Sequence, residues 1–140
     1  MPRQTLPAAS STHMSLTSLP IAVLSWLSTS RPDPTPIVEN GDALLIGLNS
    51  FDVGEEFANH FHEELNETYI GVAGELELWV DRVERIVLTT GVIVTVEPGR
   101  EHFLRNASDQ RALVCYIKSP NLPEDRILVS WHPEERGSKV

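Results

Sequence analysis

Three histidines and one glutamate stand where they could share a metal ion. His60 and His62 are two residues apart, and on an extended strand residues i and i+2 face the same way. Phe61 between them then faces the opposite, apolar side. Glu67 follows the connection 63–66, at the head of a second extended run, and a tight return brings it back beside His62. His102 opens a later run, just after the turn residues Pro98-Gly99. Three imidazoles and a carboxylate form a mixed nitrogen and oxygen set that suits Fe, Mn, Ni, Co, Cu or Zn. Four such ligands leave two octahedral positions open, as catalysis at a metal requires. Tyr69, two residues beyond Glu67, shares its face and could bind substrate or pass a proton; beside a cation a phenol's pKa falls. The structural alternative is a wall-forming aromatic whose hydroxyl is satisfied.

These residues need strands to hold them, and the chain from Ala43 onward supplies the signals. The stretches 43–48, 56–62, 68–72, 76–80, 85–89, 92–96, 102–106 and 111–117 read as short strands. Glu75-Leu76-Glu77-Leu78-Trp79-Val80 alternates with its apolar residues on one face. Glycines 41, 47, 54, 71, 74, 91 and 99 punctuate the runs. Short strands at regular spacing, without a helical pattern, indicate a sandwich or barrel. Phe51, Leu76, Leu78 and Val80 are expected to line or pack its interior.

The spacing Gly54-x5-His60-x-His62-x4-Glu67-x6-Gly74 resembles the first motif of the cupin superfamily. Gly91-x7-Gly99-x2-His102-x3-Asn106 is similar to the second, except that Glu97 stands at the usual proline and Pro98 follows it. The motifs cover 54–106, and the flanking strands extend the likeness to about 40–120. The resemblance implies an all-β fold, an antiparallel jelly-roll β-barrel of six to eight strands. It also implies a divalent metal held inside by His60, His62, Glu67 and His102. Gly54, Gly74 and Gly91 would sit at turns of positive φ, and Asn106 would fix a turn. Pairing as a homodimer, through edge strands or an exchanged N-terminal segment, is a further implication; Ile21–Leu27 is a candidate arm.

The remainder of the chain is less regular. Six of the ten prolines fall within residues 1–36, so this Pro/Ser/Thr-rich segment is expected to be flexible. The barrel is then expected over 37–120 and a tail over 121–140. His13 falls in the head and His132 in the tail, outside the motifs. Cys115 is the single cysteine; it excludes an intrachain disulfide and a cysteine zinc site, and reads as a small buried hydrophobe. With twenty acidic against eleven basic residues and a net charge of −9, nucleic acid and anionic membranes are unexpected partners. No apolar run is long enough to span a bilayer, and a cytoplasmic location is the default.

The expected activity is that of a metal-dependent enzyme on a small organic molecule, with oxygen-dependent oxidation of the dioxygenase type placed first. Tyr69 and Glu67 are the candidate catalytic groups. Non-oxidative lyase, decarboxylase, isomerase or cyclase chemistry uses the same ligands as a Lewis-acid site. A binding or sensing module without catalysis is the other reading. Glu63 and Glu64 could act as bases at the mouth, although solvated loop charges are the plainer reading. Arg100 could attract an anionic substrate.

Overall fold

The computed structural model describes residues 35–136. The candidate arm Ile21–Leu27 and His13 lie outside the described residues. Ten strands follow in order: β1 Thr35–Asn40, β2 Leu44–Phe51, β3 Glu56–Phe61, β4 Asn66–Ala73, β5 Leu76–Val80, β6 Glu84–Leu88, β7 Ile93–Val96, β8 His102–Arg105, β9 Ala112–Ser119 and β10 Ile127–Leu128. A 3-10 turn covers Pro133–Arg136. The eight expected strands correspond to β2 through β9. The additions are β1, over part of the proline-rich head, and β10, within the expected tail.

The strands form two antiparallel sheets of five, ordered β1-β2-β9-β4-β7 and β10-β3-β8-β5-β6. Each sheet keeps two edges, and the barrel shape comes from packing the sheets face to face. Phe51, Tyr69, Val96, Val114 and Tyr116 of the first sheet meet Leu76, Leu78, Val80, Leu88 and Leu104 of the second in one buried cluster. Apolar burial of this kind is the main drive to assemble the sheets. Phe51, Leu76, Leu78 and Val80 therefore pack the core. Cys115 points away from it and is half-buried beside Leu48 and Leu113.

Local chemistry explains the turns. Gly54, Gly74 and Gly91 all have positive φ. Gly74 is the most constrained: at φ 68° a Cβ would also lie 2.6 Å from the Arg111 carbonyl oxygen, so no other residue fits there without strain. The hairpin between β5 and β6 carries positive φ at Asp81 and Arg82, both non-glycine, which is costly in isolation. Side-chain contacts hold it. Asp81 accepts hydrogen bonds from the Glu101 backbone N–H and the Arg100 guanidinium, each at 2.9 Å. Arg82 pairs with Glu101 at 2.7 Å. The hairpin is thus stapled to the turn that delivers His102.

Glu77 shows how the outer face of β5 is stabilised. Its carboxylate is buried beneath Arg85 and Arg105, with Arg105 Nε at 2.6 Å. Burial pushes its pKa up, but the hydrogen bonds from Arg105 and Arg85 outweigh that and hold it below the usual 4.5. A depressed carboxyl adds stability that is complete above its unfolded pKa and is lost as pH falls through the folded value. Wild-type stability, measured by urea unfolding, is expected to decline below about pH 4. Glu77→Gln should show a smaller decline over that window and a loss of about 2 kcal/mol at neutral pH.

Candidate metal centre

Four strand ends or turns deliver the ligands. His60 lies near the end of β3, His62 just beyond it, Glu67 at the start of β4 and His102 at the start of β8. Adjacent pairing places His60 opposite His102. All four side chains are buried, and their ligand atoms lie within 4.8 Å of one another. Ligands opposed across a metal, at bond lengths near 2.1 Å, lie about 4.2 Å apart, so the cluster is close to the required size. The imidazole centroids are 4.2 to 5.1 Å apart.

A bulge makes this convergence possible. Between Phe57 and His60 the register of β3 against β8 shifts, because Phe57 opposes Leu104 while His60 opposes His102. Three residues on β3 therefore span two on β8. Phe57 and His60 both line the interior cavity, although an odd spacing would put them on opposite faces of a regular strand. The extra residue reverses the alternation and turns His60 and His62 inward.

Backbone carbonyls set the protonation of the rings. Nδ1 of His60 donates to Ala58 O at 2.9 Å, that of His102 to Arg100 O at 3.2 Å, and that of His62 to Asp125 O. A carbonyl only accepts, so each Nδ1 carries a proton, and Nε2 is the atom that each ring turns inward. Two of those Nε2 atoms lie against Glu67 Oε2, from His62 at 2.8 Å and from His102 at 3.1 Å. The three Nε2 atoms and this carboxylate oxygen are all ligand types for a metal ion, which would take the place of the protons in these contacts. The donor set therefore fits a divalent transition-metal ion.

The electrostatics agree with ligation. Burial, then the charge of His102, lowers the His60 pKa to about 3, so this ring is neutral. Burial would raise the Glu67 pKa, but hydrogen bonding with His102 and His62 overcomes it and keeps the carboxyl ionised. Tyr69 is buried, with its ring 5.9 Å from that of His102. Burial, the Glu67 charge and a hydrogen bond to Glu67 raise its pKa well above the ordinary phenol range. The protein matrix thus pushes this phenol in the direction opposite to that expected from a neighbouring cation.

Other expected residues fall elsewhere. Arg100 is engaged with Asp81 and Glu84, so it is not available to an anion. Glu63 and Glu64 have exposed side chains; their backbone N–H groups donate to Asp125 at 2.7 and 2.9 Å. His132 pairs with Glu56 at 2.9 Å and stacks edgewise on Phe103, outside the cluster. Asn106 is fully buried; its amide donates to Phe51 O and Gln110 O and its oxygen accepts from Ser108. It secures the loop after β8.

Asp125 and Tyr116 are among the residues that escaped the sequence reading. Asp125 accepts three backbone hydrogen bonds, from Glu63, Glu64 and Leu65, and its carbonyl orients His62. No local pattern marks it, because its partners are about sixty positions away. Tyr116 faces Tyr69 across β4 and β9 and lines the same cavity. It fits because Gly47 lies opposite on β2: a Cβ there would come within 2.2 Å of the Tyr116 ring. Alternation along β9 from Ala112 through Val114 leads to Tyr116 and could have revealed it.

The Cupin domain family model (Cupin_2) matches residues 47–117. With its jelly-roll sheets and buried histidine–glutamate cluster, the chain belongs to the cupin family. Over 82 residues it is 33% identical to quercetin 2,3-dioxygenase of Bacillus subtilis (strain 168), covering 59% of this chain but 24% of that protein. The chain thus spans about a quarter of that relative. A double-stranded β-helix protein from Klebsiella pneumoniae superposes with a TM-score of 0.65 at 20% identity, over 78% of this chain and 95% of the other. The protein TT1209 from Thermus thermophilus gives 0.60 at 26% identity, over 69% and 93%.

Replacing Asp125 by alanine keeps its carbonyl but removes the three side-chain hydrogen bonds that tie it to the loop after His62; the loosened loop should weaken Mn(II) or Zn(II) binding about 10- to 100-fold, measured by competition with a chromogenic chelator. Circular dichroism should retain the β signature. Gly47→Ala should drive Tyr116 into the cavity and lower the thermal midpoint by several degrees, at a cost of roughly 1–3 kcal/mol.

Proposed function

We propose that the chain is a metal-dependent cupin enzyme that oxidises a small organic molecule inside the barrel with dioxygen. The observation that carries this reading is the convergence of three imidazoles and one ionised carboxylate on one buried point, each imidazole fixed by a backbone carbonyl. His60, His62, Glu67 and His102 would hold the metal, which supplies Lewis acidity and, if redox-active, electron transfer to oxygen. The identity of 33% to a quercetin 2,3-dioxygenase supports oxidation over the other chemistries of the same ligand set.

The remaining residues define the reaction chamber. A cavity of about 220 Å³ lies beside the ligands, reaching His60, Glu67, Tyr69 and Tyr116. Leu45, Phe57, Leu104 and Val114 give it apolar walls, which exclude water and strengthen the polar contacts within. Tyr69 holds its proton and presents it towards Glu67, so this hydroxyl is placed to donate a hydrogen bond to a developing oxyanion.

The test is oxygen uptake by protein stripped with chelator and reloaded with Fe(II), Mn(II), Ni(II), Cu(II) or Zn(II), offered phenols, diketones and thiols. At least one redox-active metal should support uptake, zinc should not, and His62→Ala should lose metal and activity together. Full turnover with zinc, or without oxygen, would overturn the oxidative reading while leaving a metal-dependent lyase or isomerase. Absence of bound metal in the wild type would overturn both.

A further inference from the structure

Among the described residues most basic side chains are paired with a carboxylate, and the two exceptions lie together. Seven basic side chains are described between residues 40 and 134. Arg82, Arg85, Arg100, Arg105 and Arg111 each form an ion pair with a carboxylate. Lys118 and Arg126 form none among the described residues, and both line the cavity beside the metal ligands. This occurs in a chain of net charge −9 with twenty acidic residues, where unpaired cations are the scarce kind. Glu67 is the single carboxylate lining the cavity, and it is already committed to His62 and His102. A divalent ion in the centre would make the excess positive charge larger.

A third feature points to a ligand. Asn49 is 3% exposed and lines the same cavity, and its Oδ1 is buried without a hydrogen-bond partner. A buried orphan acceptor costs free energy unless something donates to it. Asn49 and Lys118 come to the cavity for topological reasons. Asn49 follows Leu45 and Gly47 on the inward face of β2, and Lys118 continues the inward series Val114 and Tyr116 on β9. Lys118 is also the register partner of Glu67, which places its charge next to the ligand cluster. Arg126 enters from the segment between Asp125 and β10, and its charge reaches both His60 and Tyr69.

We propose that the substrate is a small organic acid whose carboxylate lies between Lys118 and Arg126, with a hydroxyl or amine of the same molecule donating to Asn49 Oδ1. This deepens the proposed function and rests on it for the role of the bound molecule as substrate. Size sets a limit: about 150 Å³ of apolar cavity suffices for benzene, so 220 Å³ takes roughly one ring or a short chain together with its carboxylate.

The experiment measures binding and needs no turnover. A panel of hydroxylated three- to nine-carbon carboxylic acids, each beside its primary amide, is titrated by calorimetry into Zn(II)-loaded and chelator-treated protein. The acids that bind should exceed their amides by about tenfold or more, and the preference should shrink with added salt. Lys118→Met and Arg126→Met should each remove most of the preference with zinc content unchanged, while Lys118→Arg and Arg126→Lys should keep it. Asn49→Leu should erase the advantage of a hydroxy acid over its deoxy analogue. Equal binding of acids and amides throughout the panel, or a preference that survives both methionine substitutions, overturns the inference. Because the titration is also run without metal, failure of zinc to bind would count against the metal-dependent function alone, and the charge preference would still be read.

Discussion

A carboxylate taken out of water among three imidazoles is the constraint on which this molecule is organised. Glu67 is 4% exposed, and an ionised group so placed must be matched by positive charge. The protein does not match it with a neighbouring arginine. Instead each imidazole donates its Nδ1 proton to a backbone carbonyl, and His62 and His102 set their Nε2 atoms against the carboxylate. Such a cluster is self-consistent when a cation occupies its centre. Folding and metal binding therefore draw on the same geometry, and the free energy of one contributes to the other.

The surrounding structure serves that geometry in layers. Apolar side chains from both sheets fill the space between them and continue into the cavity walls, and the ligands occupy strand ends where backbone carbonyls are free to accept. The turn at 97–100 closes on β3, with the Gly99 N–H donating to the His62 carbonyl at 2.7 Å. The adjoining Glu101 accepts from Asn59 and Arg82. Positions of His60, His62 and His102 are thus coupled through hydrogen bonds that cross three strands. Strain at Asp81 and Arg82 is carried by the same network. The outer arginines are paired in similar ways, which leaves Lys118 and Arg126, beside the chamber, as the basic side chains without an ion pair among the described residues.

Much of this was legible in the residues. The i, i+2 histidines, the glutamate a short loop later and the glycines at fixed intervals identify the fold and all four members of the cluster, because these features depend on local periodicity and turn chemistry. Strands β2 to β9 follow from alternation. Strand β1 was obscured by Pro36, which an edge strand tolerates, and which sits at a register shift. Strand β10 has two residues, both exposed, and so lacks any apolar signature. The bulge before His60 leaves no compositional mark, although it decides which way the ligands face. Lys118 lay one residue past the expected end of its strand. Arg126 and Asp125 act through contacts made only after the chain has returned, and long-range contacts of that kind are not written in local pattern.

The carbonyl of Asp125 has a consequence for the order in which the site comes into being. It fixes His62 from 63 residues further along the chain. At a synthesis rate of roughly 5–20 residues per second, several seconds separate the emergence of the two. During that interval the imidazole can adopt either tautomer, and the loop that Asp125 later ties is free. The sheets can pair before then, since their apolar faces are already present. The complete four-residue cluster, with His62 held in place, is therefore a property of the finished domain and exists only after synthesis has passed this aspartate.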